Sequence, residues 1–257
     1  MSDHEPSSLA FPAVVAHRGA SSTSPENTLA SFDEAIRLGA QIVEFDVRLS
    51  SDGVPVVMHD PAVDRTTDGT GFVHELTAAE IALLHVVGDA TVPTLDEVLD
   101  ALTGRAAAAI EIKNIPGEPA FDPAGEPIVE AVHAGLERVG FRGPALVISF
   151  NPASIAASKA IAPDVATGFL TTDTIDPREA LAFAVAQGHD MVLPGTRASI
   201  PAGEAFVEEV HAAGIRAGTW TVDDPDTVRM LFDRGFDVVA SNDPAMALGV
   251  LGERARS

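Results

Sequence analysis

Residues 39–49 read Gly39-Ala40-Gln41-Ile42-Val43-Glu44-Phe45-Asp46-Val47-Arg48-Leu49, and how they are parsed decides the fold. Upstream, 28–38 has helical spacing, with Asn27 in front of it as a cap and Gly39 as its stop. From 41 to 47 β-branched and aromatic residues crowd together, which is strand composition. A helix that ends on glycine and hands over at once to a strand is an αβ unit. Working outward, the same alternation recurs along the chain. Strands are predicted at 13–16, 41–47, 107–112, 145–149, 165–169, 191–193, 215–221 and 238–240. Helix signals lie between them: Thr94 opens 95–102 and Gly104 follows it, while Pro152, Pro177 and Pro225 occupy first turns, where a missing N–H costs nothing. Eight strands, each followed by a helix, predict an α/β fold, a (β/α)8 barrel, which typically needs about 250 residues. An open doubly wound sheet is the alternative, because alternation alone does not show closure. The chain reads as one domain over 1–257.

One stretch breaks the rhythm. After Val47 the next barrel helix should come within a few residues, yet Leu95 lies far downstream. Ser51-Asp52-Gly53 signals a tight turn, 54–59 has strand composition, and Thr77 caps a short helix at 78–84. Residues 50–92 therefore read as a small insertion over the C-terminal mouth of the barrel, where long connections usually serve function.

Composition narrows the partners. Lys and Arg number 16 against 38 Asp and Glu, a net charge of −22, and only Lys113 and Lys159 are lysines. Such a surface repels nucleic acid, which needs a basic stripe to displace counterions, and it repels anionic membrane too. Cysteine is absent, so disulfides and thiolate chemistry are excluded. No apolar run has the length of a membrane span, and 1–8 lacks a basic and apolar leader. The expected location is the cytoplasm, and the oligomeric state is left open.

Glu44 and Asp46 stand two apart on a strand, so both project to one face near its C-terminal end. Such a pair can be a solvated edge, but Glu111 ends a second, continuously apolar strand. Three carboxylates from two strand ends make an oxygen-rich site suited to a hard divalent cation, Mg²⁺ or Ca²⁺. Of the eight histidines, His17 and His59 each close a strand beside these carboxylates. Imidazole titrates near neutral pH, so such a pair can divide acid and base roles. Arg18 offers a planar fork that matches a phosphate, and Lys113 a point charge. Neither a dinucleotide fingerprint, a P-loop nor a Gly-x-Ser-x-Gly elbow occurs. The set describes a metal-dependent phosphodiesterase.

The runs Ala16-His17-Arg18-Gly19-Ala20, Pro25-Glu26-Asn27-Thr28 and Val43-Glu44-Phe45-Asp46-Val47-Arg48-Leu49 resemble the glycerophosphodiester phosphodiesterases. So do Asp52-Gly53-Val54-Pro55-Val56-Val57-Met58-His59-Asp60, Arg65-Thr66-Thr67, Glu111-Ile112-Lys113 and Thr219-Trp220-Thr221-Val222-Asp223. The resemblance implies a TIM barrel that hydrolyses glycerophosphodiesters to sn-glycerol 3-phosphate and an alcohol. It implies Glu44, Asp46 and Glu111 as holders of the cation, His17 and His59 as the acid–base pair, and Arg18 and Lys113 as phosphate contacts. Trp220 would form an apolar wall near the alcohol or glycerol, or fill core beneath the mouth; Asn27 would cap a helix and organise its loop. Two departures stand out: Asp223 where such sequences often have Asn, and Ser241-Asn242-Asp243-Pro244 for the usual Thr-Asp-x-Pro. Both are expected to bear on the alcohol more than on the chemistry. The alternatives are a lysophospholipase D-type activity at the same site and a catalytically silent barrel that only binds a phosphoester.

Overall fold

The structure is a computed structural model that describes residues 9–88, 90–123, 126–254 and 256; the reading of 1–8 lies outside them. Eight parallel strands make the barrel: β1 (Ala13–Ala16), β2 (Ile42–Leu49), β4 (Ala107–Ile112), β5 (Ala145–Ser149), β6 (Ala166–Thr171), β7 (Met191–Pro194), β8 (Arg216–Thr219) and β9 (Val238–Ser241). Closure comes from β1, which pairs with β9 on one side and with β2 on the other, Val15 opposite Ile42. The closed barrel is therefore the fold, and the open sheet is not. The barrel helices are α1 (Leu29–Leu38), α3 (Leu95–Leu102), α4 (Pro127–Val139), α5 (Pro152–Ile161), α6 (Pro177–Gln187), α7 (Thr196–Ala212), α8 (Pro225–Asp233) and α9 (Pro244–Arg254).

Alternation along each strand sorts side chains between two cores. On β4, Ala108, Ile110 and Ile112 face outward to the helices, while Ala107 and Ala109 face the barrel axis. On β2, Val43, Phe45 and Val47 pack outward, and Ile42 points in. The period of two therefore sends Glu44, Asp46 and Glu111 into the barrel, above these apolar layers. Asp46 and Glu111 are direct register partners in the β2–β4 pairing. The interior is not filled: a cavity of about 180 Å³ lies among Val15, Ala107, Ala109, Met191, Leu193 and Ala240. It reaches from Phe11 at the floor to Glu44, Glu111 and Trp220 near the mouth.

The insertion has a small core of its own, Val56, Met58, Val63, Val73, Ile81, Val86 and Val92. Its strand β3 (Pro55–Val57) runs antiparallel to the end of β2, Arg48 opposite Val56. This pairing carries β2 on to Leu49, two residues past its expected end. The short helix α2 (Ala78–Ile81) is capped by Thr77 as expected, with Glu80 completing a capping box. It stops before 84 because the N–H groups of Leu83 and Leu84 bond three residues back, to Glu80 and Ile81, tightening the chain out of α-geometry.

One cap differs from expectation. Thr28, not Asn27, caps α1, its side chain accepting from the Ser31 N–H. Asn27 adopts φ 58°, a left-handed conformation that asparagine tolerates, and turns its amide toward β2 instead.

Candidate active site

Glu44, Asp46 and Glu111 are buried, and each offers an oxygen within 4.8 Å of the others. Neighbours hold them closely. Asn27 clasps Asp46 twice, donating from Nδ2 to Oδ2 (2.8 Å) and accepting the Asp46 N–H on Oδ1 (3.3 Å). Arg18 Nε lies 3.2 Å from Asp46 Oδ2, and the Arg18 backbone N–H donates to Glu44 Oε2 at 2.8 Å. Lys113 Nζ, itself buried, lies 2.9 Å from Asp46 Oδ1 and also pairs with Glu111. That backbone donor reaches Glu44 because Arg18 takes φ 56° and Gly19 φ 80°. A side chain at Gly19 would place its Cβ 2.2 Å from the Ser31 hydroxyl, so the turn admits only glycine.

The electrostatics are unbalanced. Three buried carboxylates face two fixed cations. Burial, reinforced by the Asp46 charge, pushes the Glu44 carboxyl up to about 8. Burial likewise pushes Glu111 up to about 7, with Lys113 opposing. Burial would also raise Asp46, but Lys113 and Arg18 together pull it far below the usual carboxylate range. Among the described residues Glu44 Oε1 has no hydrogen-bond partner. An excess of negative charge, all-oxygen donors and one orphaned buried oxygen fit a hard divalent cation.

The two histidines are held by different partners. His17 Nδ1 lies 2.7 Å from Asn242 Oδ1, with Nε2 3.9 Å from Glu44 Oε2. Burial lowers its pKa, and the Arg18 charge lowers it further. His59 Nδ1 lies 2.6 Å from Asp60 Oδ1. Its pKa is also lowered, by burial first and then by the Lys113 charge. The His59 backbone is pinned by buried Arg48, which donates to its carbonyl from Nε (2.8 Å) and Nη2 (2.6 Å) while Nη1 meets Glu118 (2.7 Å).

A chain of ion pairs links the histidine of the insertion to the arginine just past β1. Arg65 grips Asp60 through Nε and Nη2, and Glu26 through Nη1 (2.9 Å) and Nη2 (2.8 Å). Glu26 in turn accepts from Arg18 Nη1 at 3.0 Å. Trp220 bonds the Leu193 carbonyl through Nε1 (3.0 Å) and meets Phe150 edge-on, centroids 5.1 Å apart. It lines the barrel cavity together with His17, Glu44 and Glu111.

All the residues singled out in the sequence thus converge at the C-terminal end of the barrel. The sequence does not single out Glu26, Arg48, Asp60 and Arg65, although all four lie in the runs that carry the family resemblance. The departures at 223 and 242 lie next to each other in the fold. Asn242 sits on the His17 ring and Asp223 on Asn242, so both join the surroundings of the imidazole.

A parallel barrel that gathers carboxylates, imidazoles and cations at its C-terminal mouth has the parts that metal-assisted hydrolysis of a phosphate ester uses. Comparison with known proteins narrows the class. Residues 17–246 match the model of the glycerophosphoryl diester phosphodiesterase family. A glycerophosphodiester phosphodiesterase of Caldanaerobacter subterraneus subsp. tengcongensis is 32% identical over 93% of this chain and 97% of its own. An Oleispira antarctica phosphodiesterase, solved in complex with the product sn-glycerol-3-phosphate, superposes with a TM-score of 0.83 at 28% identity, covering 94% of this chain and 97% of its own. A glycerophosphodiester phosphodiesterase from Agrobacterium tumefaciens superposes at 0.78 with 27% identity, over 93% of this chain and 99% of its own. The chain belongs to the glycerophosphoryl diester phosphodiesterase family.

Proposed function

We propose that the protein hydrolyses glycerophosphodiesters to sn-glycerol 3-phosphate and an alcohol, through His17 and His59, beside a divalent cation held by Glu44, Asp46 and Glu111. The observation that carries this reading is the buried carboxylate cluster, with its orphaned oxygen, lying 3.9 Å from an imidazole nitrogen. When bound, the cation supplies charge to neutralise the non-bridging phosphate oxygens. Mg²⁺ and Ca²⁺ both suit the all-oxygen donor set.

The chain's own groups do the rest. Arg18, anchored by Asp46 and Glu26, and Lys113, anchored by Asp46 and Glu111, present fixed positive charge to the phosphate. Such preorganised charge loses nothing to reorganisation as negative charge builds on the phosphoryl oxygens. A carboxylate partner favours an imidazolium, and a neutral amide does so far less. His59, on Asp60, is therefore read as the acid that protonates the departing alkoxide. His17, on Asn242, is read as the base that takes a proton from the nucleophile. Trp220 and Phe150 offer an apolar wall beside them. Every group used comes from the barrel and its 50–92 insertion, which are read as one functional domain. Among the described residues no helix is long and apolar enough to cross a membrane.

The test is release of glycerol 3-phosphate from glycerophosphocholine, with chelator and with Mg²⁺ or Ca²⁺ restored. Turnover should vanish on chelation and return with the ion. It should fall by about 10²-fold or more in His17→Ala and in His59→Ala. Activity that survives thorough chelation rejects the cation, and normal turnover in either histidine variant rejects the pair. A lysophosphatidylcholine arm reports whether an acylated glycerol is accepted at the same site.

A further inference from the structure

His17 lies just past β1, its backbone N–H bonded to the Ser241 carbonyl at the end of β9 (3.0 Å). This pairing brings Asn242 alongside the imidazole, with Oδ1 2.7 Å from Nδ1. The far side of the same amide meets Asp223: Asn242 Nδ2 donates to Asp223 Oδ2 at 2.6 Å. Two further donors hold that carboxylate in place, the Asn242 backbone N–H (2.8 Å) and the Ser241 hydroxyl (3.1 Å), both on Oδ1.

A side-chain amide can sit in two ways, exchanging its oxygen and nitrogen, and only its partners decide between them. The Ser21 hydroxyl shares its one hydrogen between the His17 carbonyl (2.7 Å) and Asn242 Oδ1 (3.0 Å), a weaker constraint on the amide than a charged partner. Asp223 does decide. A carboxylate has no hydrogen to give, so the amide must turn its NH₂ group toward it. The reverse placement would press two acceptors together at 2.6 Å. With NH₂ committed to Asp223, the amide oxygen faces His17, and only an N–H can meet it there.

We propose that Asp223 is a positioning residue that keeps the His17 proton on Nδ1, acting through the Asn242 amide, so that Nε2 is the nitrogen left to accept a proton. Nε2 is the ring nitrogen that faces the carboxylate cluster, beside Glu44. The inference rests on the reading of His17 as a proton acceptor in phosphodiester hydrolysis, and adds a residue that meets the ring only through another side chain. It also gives the inverted pair, an acid at 223 and an amide at 242, one joint task.

The test is ¹⁵N NMR of the His17 ring in the protein with Mg²⁺, at a pH where the ring is neutral, alongside steady-state kinetics on glycerophosphocholine. In the unaltered protein the proton should reside on Nδ1. In Asp223→Ala, at an exposed position, the amide is free to turn. The ring should then show a mixture of tautomers. kcat should fall about tenfold or more, within the ~10²–10⁴ that a general base contributes, with KM changed by less than about twofold. The exchanged pair D223N/N242D puts an obligate acceptor on Nδ1 and should restore both the single tautomer and most of kcat. A single Nδ1–H tautomer in Asp223→Ala overturns the proposal. So does an unchanged kcat despite mixed tautomers, or a D223N/N242D protein that recovers neither signal. If the unaltered protein hydrolyses no glycerophosphodiester, the proposed function fails, while the spectra still decide whether Asp223 sets the tautomer.

Discussion

Asn27 shows how a single side chain can be misread from its neighbours in sequence. Asparagine and threonine are both favoured caps, and in Asn27-Thr28 the sequence offers the two side by side. What separates them is Asp46, 19 residues away, whose buried carboxylate and N–H need a donor and an acceptor that Asn27 alone supplies together. Asn27→Ala should cost about 2 kcal/mol, from an unsatisfied buried N–H, and weaken Mg²⁺ binding by about 10–100-fold, as loss of an outer partner of a ligand typically does. Asn27→Gly keeps the left-handed backbone and removes only the amide. Calorimetric titration of both variants should show the same loss of affinity, with the smaller stability loss in the glycine variant. The three carboxylates, by contrast, are legible in the sequence itself. Strand period places Glu44 and Asp46 on one face, and an apolar run that ends on Glu111 marks a second strand end. The couplings of His17 to Asn242 and of Asn242 to Asp223 are not legible there, because they join β1 to β9 and the chain after β8, and no local pattern encodes a partner 225 residues away.

Among the elements, the eight barrel strands were readable as short apolar runs, most of them followed by a capped or proline-started helix. Their ends were less so, being set by pairing partners such as β3 on β2. The strap from the insertion to β1 was invisible for the same reason: Arg65 and Glu26 stand 39 residues apart and meet only when the insertion folds back to the rim. The strap should register in the acid stability of the protein. Hydrogen bonds to Arg65 hold the Asp60 carboxyl down to about 2, and, against its burial, hold Glu26 below its ordinary value. Carboxyls held low in the folded state contribute stability above their ordinary range, and lose it as pH falls toward the folded value. Arg65→Ala should therefore lower the melting temperature at pH 6. The gap from the unaltered protein should close as pH falls from about 4 to 2, in thermal melts across that range.

At the scale of the whole molecule, a net charge of −22 surrounds a site that must admit an anionic diester. Local positive charge from Arg18 and Lys113 has to act against that envelope. Salt shortens the reach of the envelope to about 10 Å at 0.1 M and leaves contacts within the site largely unscreened. kcat/KM for glycerophosphoglycerol, whose phosphate is its only charge, should therefore rise between low and moderate ionic strength, with kcat little changed; a fall in kcat/KM would show that the local field governs encounter.

The hollow beneath the mouth has a mechanical consequence. Barrels of this kind ordinarily fill their axis with layers of bulky side chains, whereas alanines at 107, 109 and 240 leave about 180 Å³ open here. Unfolding abolishes that space, so the unfolded chain with its water occupies less volume, and hydrostatic pressure favours it. Ala109→Val adds methyl groups on the axial face of β4, where the room exists, and should raise the pressure of half-unfolding. The readout is built in: the protein has one tryptophan, and Trp220 lines the compressible space.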